Sequence, residues 1–332
     1  MKESNLGIYA CPSCRGGLEV QGESDEKEIK AGLLLCKKEG LTYPITKGIP
    51  QLILPSRKQR VDQLVKDITR VRDVQGLAID DWSYYLHLPY PDKNHTRYGM
   101  IAKPSSAAPL HRHWLHRSRS FEKLYDRVRF EEGITLLDLG AGSGWLSNRL
   151  SNRFDTIAMD IDTGQHALGA SKAFLSTGKH IERCQGELAN IPLKDNTVDV
   201  AILNSSAEYE DLSLITSELN RVLKQQGAAY IVDSPVFESS EAHGKAVSLL
   251  NAYYEILETH LLKERHQPLL MSVIAAELKP HFTVEILPSE HPLTAAKRSL
   301  QALFKKQEMP TYPIIIMRKN FKTKIGGRFL PP

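Results

Sequence analysis

Long hydrophobic runs and cysteines are both scarce in this chain of 332 residues. No apolar segment approaches the roughly 20 residues that cross a bilayer, and residues 1–5 lead into no hydrophobic signal core. The four cysteines, at positions 11, 14, 36 and 184, make no convincing disulfide framework. We therefore expect a protein that is not exported and that resides in a reducing cytoplasm.

Two nucleotide-binding signatures are also missing. The glycine-rich segment at 140–144 lacks the Lys-Ser/Thr pair of a phosphate loop, and Trp145 stands where the dinucleotide fingerprint needs its third glycine. What is present is an apolar run ending at Asp138, then three alternating glycines, then an amphipathic run from Trp145. This order predicts a buried parallel strand, a tight turn and a helix N-terminus, and it argues against a nicotinamide oxidoreductase.

Four motifs follow one another in a recognisable order. After the glycine turn, a second apolar run ends at Asp160, twenty residues after Gly140. A loop at 185–193 carries Glu187, and residues 219–227 read Leu-Asn-Arg-Val-Leu-Lys-Gln-Gln-Gly. Together, over roughly 113–235, they resemble the class I S-adenosylmethionine (SAM) methyltransferases. The resemblance implies a Rossmann-like α/β sheet of seven strands with the last antiparallel, an enzyme, and SAM as its cofactor.

The same resemblance implies a cofactor site. The glycines would shape the turn against the amino-acid end of SAM, where Asp138 organises the loop or meets the ammonium group. Asp160 would accept both ribose hydroxyls, and Ile161 would lie along the adenine. Glu187 would contact the adenine edge, at a position where the family usually carries Asp. The full predicted set is Asp138, Gly140, Gly142, Gly144, Asp160, Ile161, Glu187, Leu188 and Asn204.

Methyl transfer from a sulfonium needs alignment more than it needs a dedicated catalytic side chain. Asn204-Ser205-Ser206, after the fourth strand, is not the Asn/Asp-Pro-Pro-Tyr motif of amino-group methyltransferases. An alcohol or phenol acceptor would benefit from a general base. The candidates for that role are His111, His113, His116 and Tyr209.

Residues 1–54 read as a separate β-rich unit. Cys11-Pro12-Ser13-Cys14 and the segment Tyr-Pro-Ile-Thr-Lys-Gly-Ile-Pro at 43–50 resemble the Trm112-type zinc-ribbon family, which partners methyltransferases of tRNA, rRNA or release factors. Cys11, Cys14 and Cys36 could bind zinc, but Glu39 fills the fourth position. Cys184 is interpreted as a core residue. We expect a ribbon without stoichiometric metal, with zinc as the alternative.

The rest of the chain divides into a linker helix and cap at 55–112, a methyltransferase domain at 113–320 with a helical insertion at 236–280, and a basic tail at 321–332. The segment 80–110 reads as irregular chain rich in aromatic residues. Together with the insertion it favours a small or lipid-like methyl acceptor under a lid. The ribbon and the excess of Lys and Arg, 15 against 8 acids over 57–129, suggest RNA or a translation factor instead. A non-catalytic SAM-binding partner protein is a further alternative, and the oligomeric state stays open.

Overall fold

The computed structural model describes residues 1–22, 24–25, 28–79, 84–85, 88–90, 104–128, 133–170, 180–289, 308–320, 324–325 and 328–329. Side chains are described for these residues except 24–25, 104–113, 115, 324–325 and 328–329. Within this part of the chain, no helix combines the length and the apolar character that a membrane crossing requires. Of the predicted basic tail at 321–332, residues 324–325 and 328–329 are described, and they form a short antiparallel pair, Lys324–Ile325 with Arg328–Phe329.

The N-terminal unit is a small antiparallel sheet. Its strands, in spatial order, are β1 (Glu19–Gln21), β2 (Gly32–Cys36), β3 (Leu41–Thr46) and β4 (Ile49–Pro50). A 3₁₀ helix at Glu3–Ile8 precedes them, and a short hairpin pairs Ser24–Asp25 with Glu28–Ile29. Side chains alternate along β3, so that Tyr43 and Ile45 are buried while their neighbours face solvent. The predicted β-rich character of the N-terminal unit is confirmed.

The larger unit is built on a seven-stranded sheet. Its strands are β5 (Thr135–Leu139), β6 (Asp155–Asp160), β7 (Glu182–Gln185), β8 (Val198–Asn204), β9 (Leu223–Val232), β12 (Phe282–Leu287) and β13 (Ile314–Lys319). A separate parallel pair is formed by β10 (Val236–Phe237) and β11 (Leu269–Leu270). The sheet order is β12-β13-β9-β8-β5-β6-β7. β13 runs antiparallel to both neighbours, while the strands from β9 to β7 are parallel. The predicted Rossmann-like sheet with an antiparallel last strand is confirmed.

Seven α-helices surround this sheet and connect the two units. They are α1 (Lys58–Val74), α2 (Pro104–Tyr125), α3 (Trp145–Leu150), α4 (Leu212–Val222), α5 (Ser240–Ile256), α6 (His260–Arg265) and α7 (Met271–Leu278) among the described residues. The sequence predicted an irregular chain up to residue 110, and this was wrong for 104–110. Proline is well accepted in the first turn of a helix, so Pro104 starts α2 instead of interrupting it.

The ribbon docks on the β7 edge of the large sheet. Gln51 pairs in parallel with Gln185, and the amide of Leu52 donates to the Gln185 carbonyl at 3.1 Å. On the other side of the contact, Tyr9 forms an antiparallel bridge with Leu193. A sheet edge is a row of unpaired backbone groups, and here the N-terminal unit covers it. The two units therefore share backbone hydrogen bonds and not only side-chain packing.

Helix α1 does not lie free between the two units. Its Leu64 belongs to an apolar cluster with Tyr254 of α5 and Leu262 of α6. Asp67 is buried, and its Oδ2 accepts a hydrogen bond from the amide of Leu261 at 2.9 Å. The predicted linker helix and the predicted insertion thus pack together, and they form a cap above one end of the sheet.

Candidate functional site

The glycine turn follows β5, as the sequence predicts. Gly140, Gly142 and Gly144 have φ of +76°, +52° and +79°, a conformation that strongly favours glycine. A Cβ on Gly140 would lie 2.5 Å from the Cβ of Ser206, whose hydroxyl donates to the Leu139 carbonyl. The turn is therefore pressed against the chain that leaves β8, and there is no space for a side chain at Gly140.

Asp138 lies beneath the turn and not on the surface. It is buried, and its Oδ2 accepts a hydrogen bond from Ser147 Oγ of α3 at 2.6 Å. Burial raises its pKa to about 7, against the hydrogen bond from Ser147. This contact fixes the first turns of α3 to the end of β5, so the carboxyl group organises the loop.

Asp160 ends β6 beside the same turn. Its Oδ2 accepts from the amide of Gly142 at 2.7 Å, and its Oδ1 accepts from the amide of Asp162 at 2.8 Å. Burial raises its pKa to about 6, while these two amides act in the opposite direction. A carboxylate has about four acceptor sites. Two of them therefore remain for donors from a ligand.

A cavity of about 210 Å³ opens above β6 and β8, which we call the α1 cavity. Its walls include Leu64 and Ile68 of α1. Its floor carries four of the predicted cofactor residues: Asp160, Ile161, Glu187 and Leu188. The cap of α1 and α6 therefore closes over the part of the site where the sequence predicts ribose and adenine.

A second cavity, of about 260 Å³, lies toward α2, and we call it the α2 cavity. It contains four further predicted residues, Asp138, Gly140, Gly142 and Asn204, together with the side chains of Trp114 and Trp145. Arg72, Gly140 and Ser205 line both cavities. The two cavities therefore adjoin, and eight of the nine predicted cofactor residues lie along them. Gly144 is instead the N-cap of α3.

Glu187 has partners that the sequence did not reveal. Arg57 grips its carboxylate with two hydrogen bonds, Nε to Oε2 at 2.7 Å and Nη2 to Oε1 at 2.6 Å. Arg265 of α6 lies 3.9 Å from Oε1 and also pairs with Glu210 at 2.5 Å. Both arginines come from segments added to the sheet. The adenine contact of Glu187 stays a prediction, since its carboxylate already has strong partners.

The four candidates for a base fall in different places. His111 and His113 belong to α2, where their side chains lie outside the described residues. His116 Nε2 lies 3.2 Å from Oδ1 of the buried Asp233, whose Oδ2 accepts from Asn204 Nδ2 at 3.3 Å. Tyr209 lines the α1 cavity and stacks on His266 with centroids 4.0 Å apart. Of the described candidates, His116 thus lies nearer to the Asn204 end of the site.

The three ribbon cysteines converge. The sulfur atoms of Cys11, Cys14 and Cys36 lie within 4.8 Å of one another, and the Tyr43 hydroxyl is 3.2 Å from Cys11 Sγ. Three soft thiolates at this spacing fit a zinc ion. Glu39, at the expected fourth position, is exposed. Cys184 is buried in β7 of the large sheet and is no part of the cluster.

We still expect less than one zinc ion per purified chain, because three thiols are one protein ligand short of a closed structural site. The apolar core of the ribbon and its docking on β7 would then hold the unit together. Elemental analysis should give a substoichiometric zinc content, and a chelator should leave the thermal midpoint nearly unchanged. Stoichiometric zinc, with a large loss of stability on chelation, would contradict this prediction.

Two family models match parts of this chain, one in each unit. The family model described as "Methyltransferase domain" matches residues 137–231, and that described as "Trm112p-like protein" matches residues 6–48. A UPF0434 protein of Photobacterium profundum is 41% identical over 61 residues, which are 18% of this chain and 92% of that protein. The YcgJ protein of Bacillus covers 62% of this chain and all of its own, with 17% identity and a TM-score of 0.47. Geranyl diphosphate C-methyltransferase of Streptomyces coelicolor covers 70% of this chain and 88% of its own, with 16% identity and a TM-score of 0.48.

The fold and the glycine turn define a class I methyltransferase domain. Residues 137–231 match the methyltransferase family model, and the N-terminal unit fused to this domain belongs to the Trm112-like family.

Proposed function

We propose that this protein is a SAM-dependent methyltransferase whose cofactor lies along the two joined cavities. Adenosine would occupy the α1 cavity with its ribose on Asp160, and the methionine end would lie in the α2 cavity between the glycine turn and Asn204. One observation carries the proposal: the glycine turn, the end of β6, the loop at 185–193 and the segment after β8 all contribute residues to two adjoining cavities. The methyl group would then point into the α2 cavity.

SAM, when bound, supplies an electrophilic methyl group that an acceptor attacks in line with the carbon–sulfur bond. The protein must hold the two molecules and manage one proton. His116 is the candidate that the geometry supports for the proton, because Asp233 lies beside its imidazole. Burial alone would raise the pKa of Asp233, but His116 and Arg117 bring it below the ordinary value. An ionised Asp233 would stabilise a protonated His116.

We propose a small acceptor, because the wall of the α2 cavity is aromatic and its volume is modest. An RNA or translation-factor substrate is the second candidate, and the Trm112-like domain is the observation that favours it. A non-catalytic SAM-binding protein is the third. Mass spectrometry of metabolites and RNA from cells with and without the gene separates the three, since it shows which molecule loses a methyl group.

Calorimetry of the purified chain tests the cofactor. We expect SAM and S-adenosylhomocysteine to bind in the low-micromolar range, about −8 kcal/mol, and NAD not to bind. Asp160→Ala should weaken SAM binding at least tenfold, because hydrogen bonds to a charged group contribute about 1.5–3 kcal/mol each. The matched control is Asp155→Ala, an exposed residue at the other end of β6, which should leave the affinity unchanged.

The pH dependence provides a second readout. Ribose hydroxyls bind the ionised carboxylate, and the pKa of Asp160 is raised to about 6. SAM affinity should therefore fall as the pH drops through about 6, and Asp160→Ala should lose that dependence. Tight NAD binding without SAM binding would reject the proposed function. Unchanged SAM affinity in Asp160→Ala would show that the ribose lies elsewhere.

A further inference from the structure

We propose that the α2 cavity binds an acceptor with an apolar, ring-sized body and one acidic group, and that Arg117 holds the acidic group. The proposal rests on the proposed function, since the same cavity contains the glycine turn. It assigns a substrate class and a specificity-determining residue. Three observations support it: the aromatic wall of the cavity, the missing hydrogen-bond acceptor of Arg117 Nε, and the partners that the other charged groups near the cavity already have.

The wall of the α2 cavity is formed largely by aromatic side chains. Trp114 of α2 and Trp145 of α3 meet edge to face, with centroids 5.7 Å apart at 90°. Tyr84 meets Trp114 in the same manner at 6.4 Å, and Tyr85 and Leu88 extend the lining. Such interlocked aromatic pairs are rigid and strongly hydrophobic. They fit a planar or compact apolar body better than a polar chain.

Arg117 adds a charge to this wall. It lies three residues after Trp114 on α2, so both side chains project from the same helix face. Its guanidinium carbon is 5.1 Å from the Trp114 ring centroid, in a cation–π contact. In the described part of the chain its buried Nε has no hydrogen-bond acceptor. A buried N–H group without an acceptor is costly. An anionic ligand would supply that acceptor, and a guanidinium can bind it through a second donor as well.

The other charged groups of the cavity already have partners. Arg72 Nη1 lies 3.0 Å from Asp162 Oδ2, and Asp138 accepts from Ser147. Glu208 and Asp233 attract Arg117 through space, but no described carboxylate comes within ion-pair distance of it. Glu208 accepts from Ser234 Oγ at 2.6 Å, and Asp233 lies beside His116. Among the described lining residues, Arg117 is therefore the cation available to a ligand. A cationic acceptor, which aromatic walls also bind, would be repelled by it.

The volume limits the size of the acceptor. The α2 cavity measures about 260 Å³, and the methionine end of the cofactor would occupy part of it. One or two rings fill the remainder. A carboxylate and a phosphate monoester share the required chemistry, because both accept paired hydrogen bonds from a guanidinium.

The test uses the full chain saturated with S-adenosylhomocysteine and three matched probes: 2-naphthoate, 2-naphthyl phosphate and 2-naphthalenemethanol. Calorimetry should show that at least one of the anions binds ten or more times tighter than the alcohol. The tighter of the two identifies the acidic group as a carboxylate or a phosphate. In Arg117→Gln, affinity for that anion should fall at least tenfold, while the affinities for the alcohol and for S-adenosylhomocysteine change less than twofold.

Two further variants keep the test decisive. Arg119→Gln, exposed on the same helix, should bind all probes like the original protein. Arg117→Lys keeps the charge but loses the planar fork, so it should retain part of the anion preference. The anion preference of Arg117→Lys can be measured even if Arg117→Gln proves unstable.

Three outcomes would overturn the proposal. The first is equal binding of anions and alcohol, and the second is tighter binding of the cation 2-naphthylmethylammonium. The third is a loss of S-adenosylhomocysteine affinity in Arg117→Gln, which would place Arg117 on the cofactor's own carboxylate. The same titrations without cofactor distinguish a failure of the proposed function from a failure of the proposed anion site. If the original protein binds no S-adenosylhomocysteine, the proposed function fails, while an Arg117-dependent anion preference would still support the site.

Discussion

Gly140→Ala is expected to lower the thermal midpoint by roughly 5–10 °C and to remove measurable SAM binding. Two costs combine at this position. The φ of +76° strains any residue with a side chain, at about 1–2 kcal/mol. The new Cβ would also lie 2.5 Å from Ser206 Cβ, and relieving such an overlap in a packed region costs about 1–3 kcal/mol. The turn and the chain after β8 must separate, and both line the proposed cofactor site.

Gly142→Ala is the matched control, two residues along the same turn. Its φ is +52°, but a Cβ there meets no atom within 4 Å. It should therefore carry only the backbone strain, with a smaller fall in the midpoint and a smaller loss of SAM affinity. Thermal unfolding and calorimetry on both variants give the comparison. Equal effects would mean that backbone strain, and not contact with Ser206, makes glycine necessary at position 140.

Glu182→Ala is expected to destabilise the protein by about 3–5 kcal/mol, because it removes a buried charge from its donors. Glu182 lies in β7, and its side chain is only 2% exposed. It accepts from Tyr9 Oη at 3.1 Å, Asn5 Nδ2 at 2.9 Å and the amide of Lys2 at 3.2 Å. All three donors belong to the ribbon. The substitution leaves the buried Tyr9 hydroxyl and two partly buried donors without this acceptor, so the docking of the ribbon on the sheet should weaken.

The pH dependence of this effect has a definite sign. Burial alone would raise the pKa of Glu182, but the hydrogen bond from His180 and the nearby N-terminal ammonium bring it below the ordinary value. A lowered folded-state pKa contributes stability above the unfolded-state pKa and loses it as the pH falls through the folded-state value. The difference in unfolding free energy between the original protein and Glu182→Ala should therefore be largest at neutral pH and should decrease in acid. Denaturant unfolding at several pH values measures it.

Glu241→Ala is the control for Glu182. Glu241 is exposed on α5 and pairs with Lys245 on the same helix surface. Exposed pairs of this kind contribute little, so no measurable change in stability is expected. A similarly small effect for Glu182→Ala would show that backbone pairing and apolar contacts hold the ribbon on the sheet without the buried carboxylate.

The local sequence determined the features that depend on residues close together in the chain, namely the strand before Asp138 and the glycine turn that follows it. The apolar run before Asp138 and the alternating glycines led to a strand and a turn with positive φ, because few other residues allow that backbone. The spacing from Gly140 to Asp160 placed the second carboxylate beside the turn, since parallel strands end at one edge of a sheet.

Tertiary structure alone decided which distant side chains meet. Arg57 reaches Glu187 across 130 positions, and nothing in either local pattern indicates the pair. Arg117 looked like one of many solvated helix charges until the fold placed it beside Trp114 in a cavity. Glu182 belongs to none of the sequence motifs, yet it receives donors from the ribbon 173 to 180 positions away. Burial and pairing of charges depend on contacts between elements, whereas turn and strand signals depend on backbone geometry within them. The sequence therefore determined the class of the protein and the glycine turn, and only the packing of ribbon, cap and sheet decided what surrounds the site.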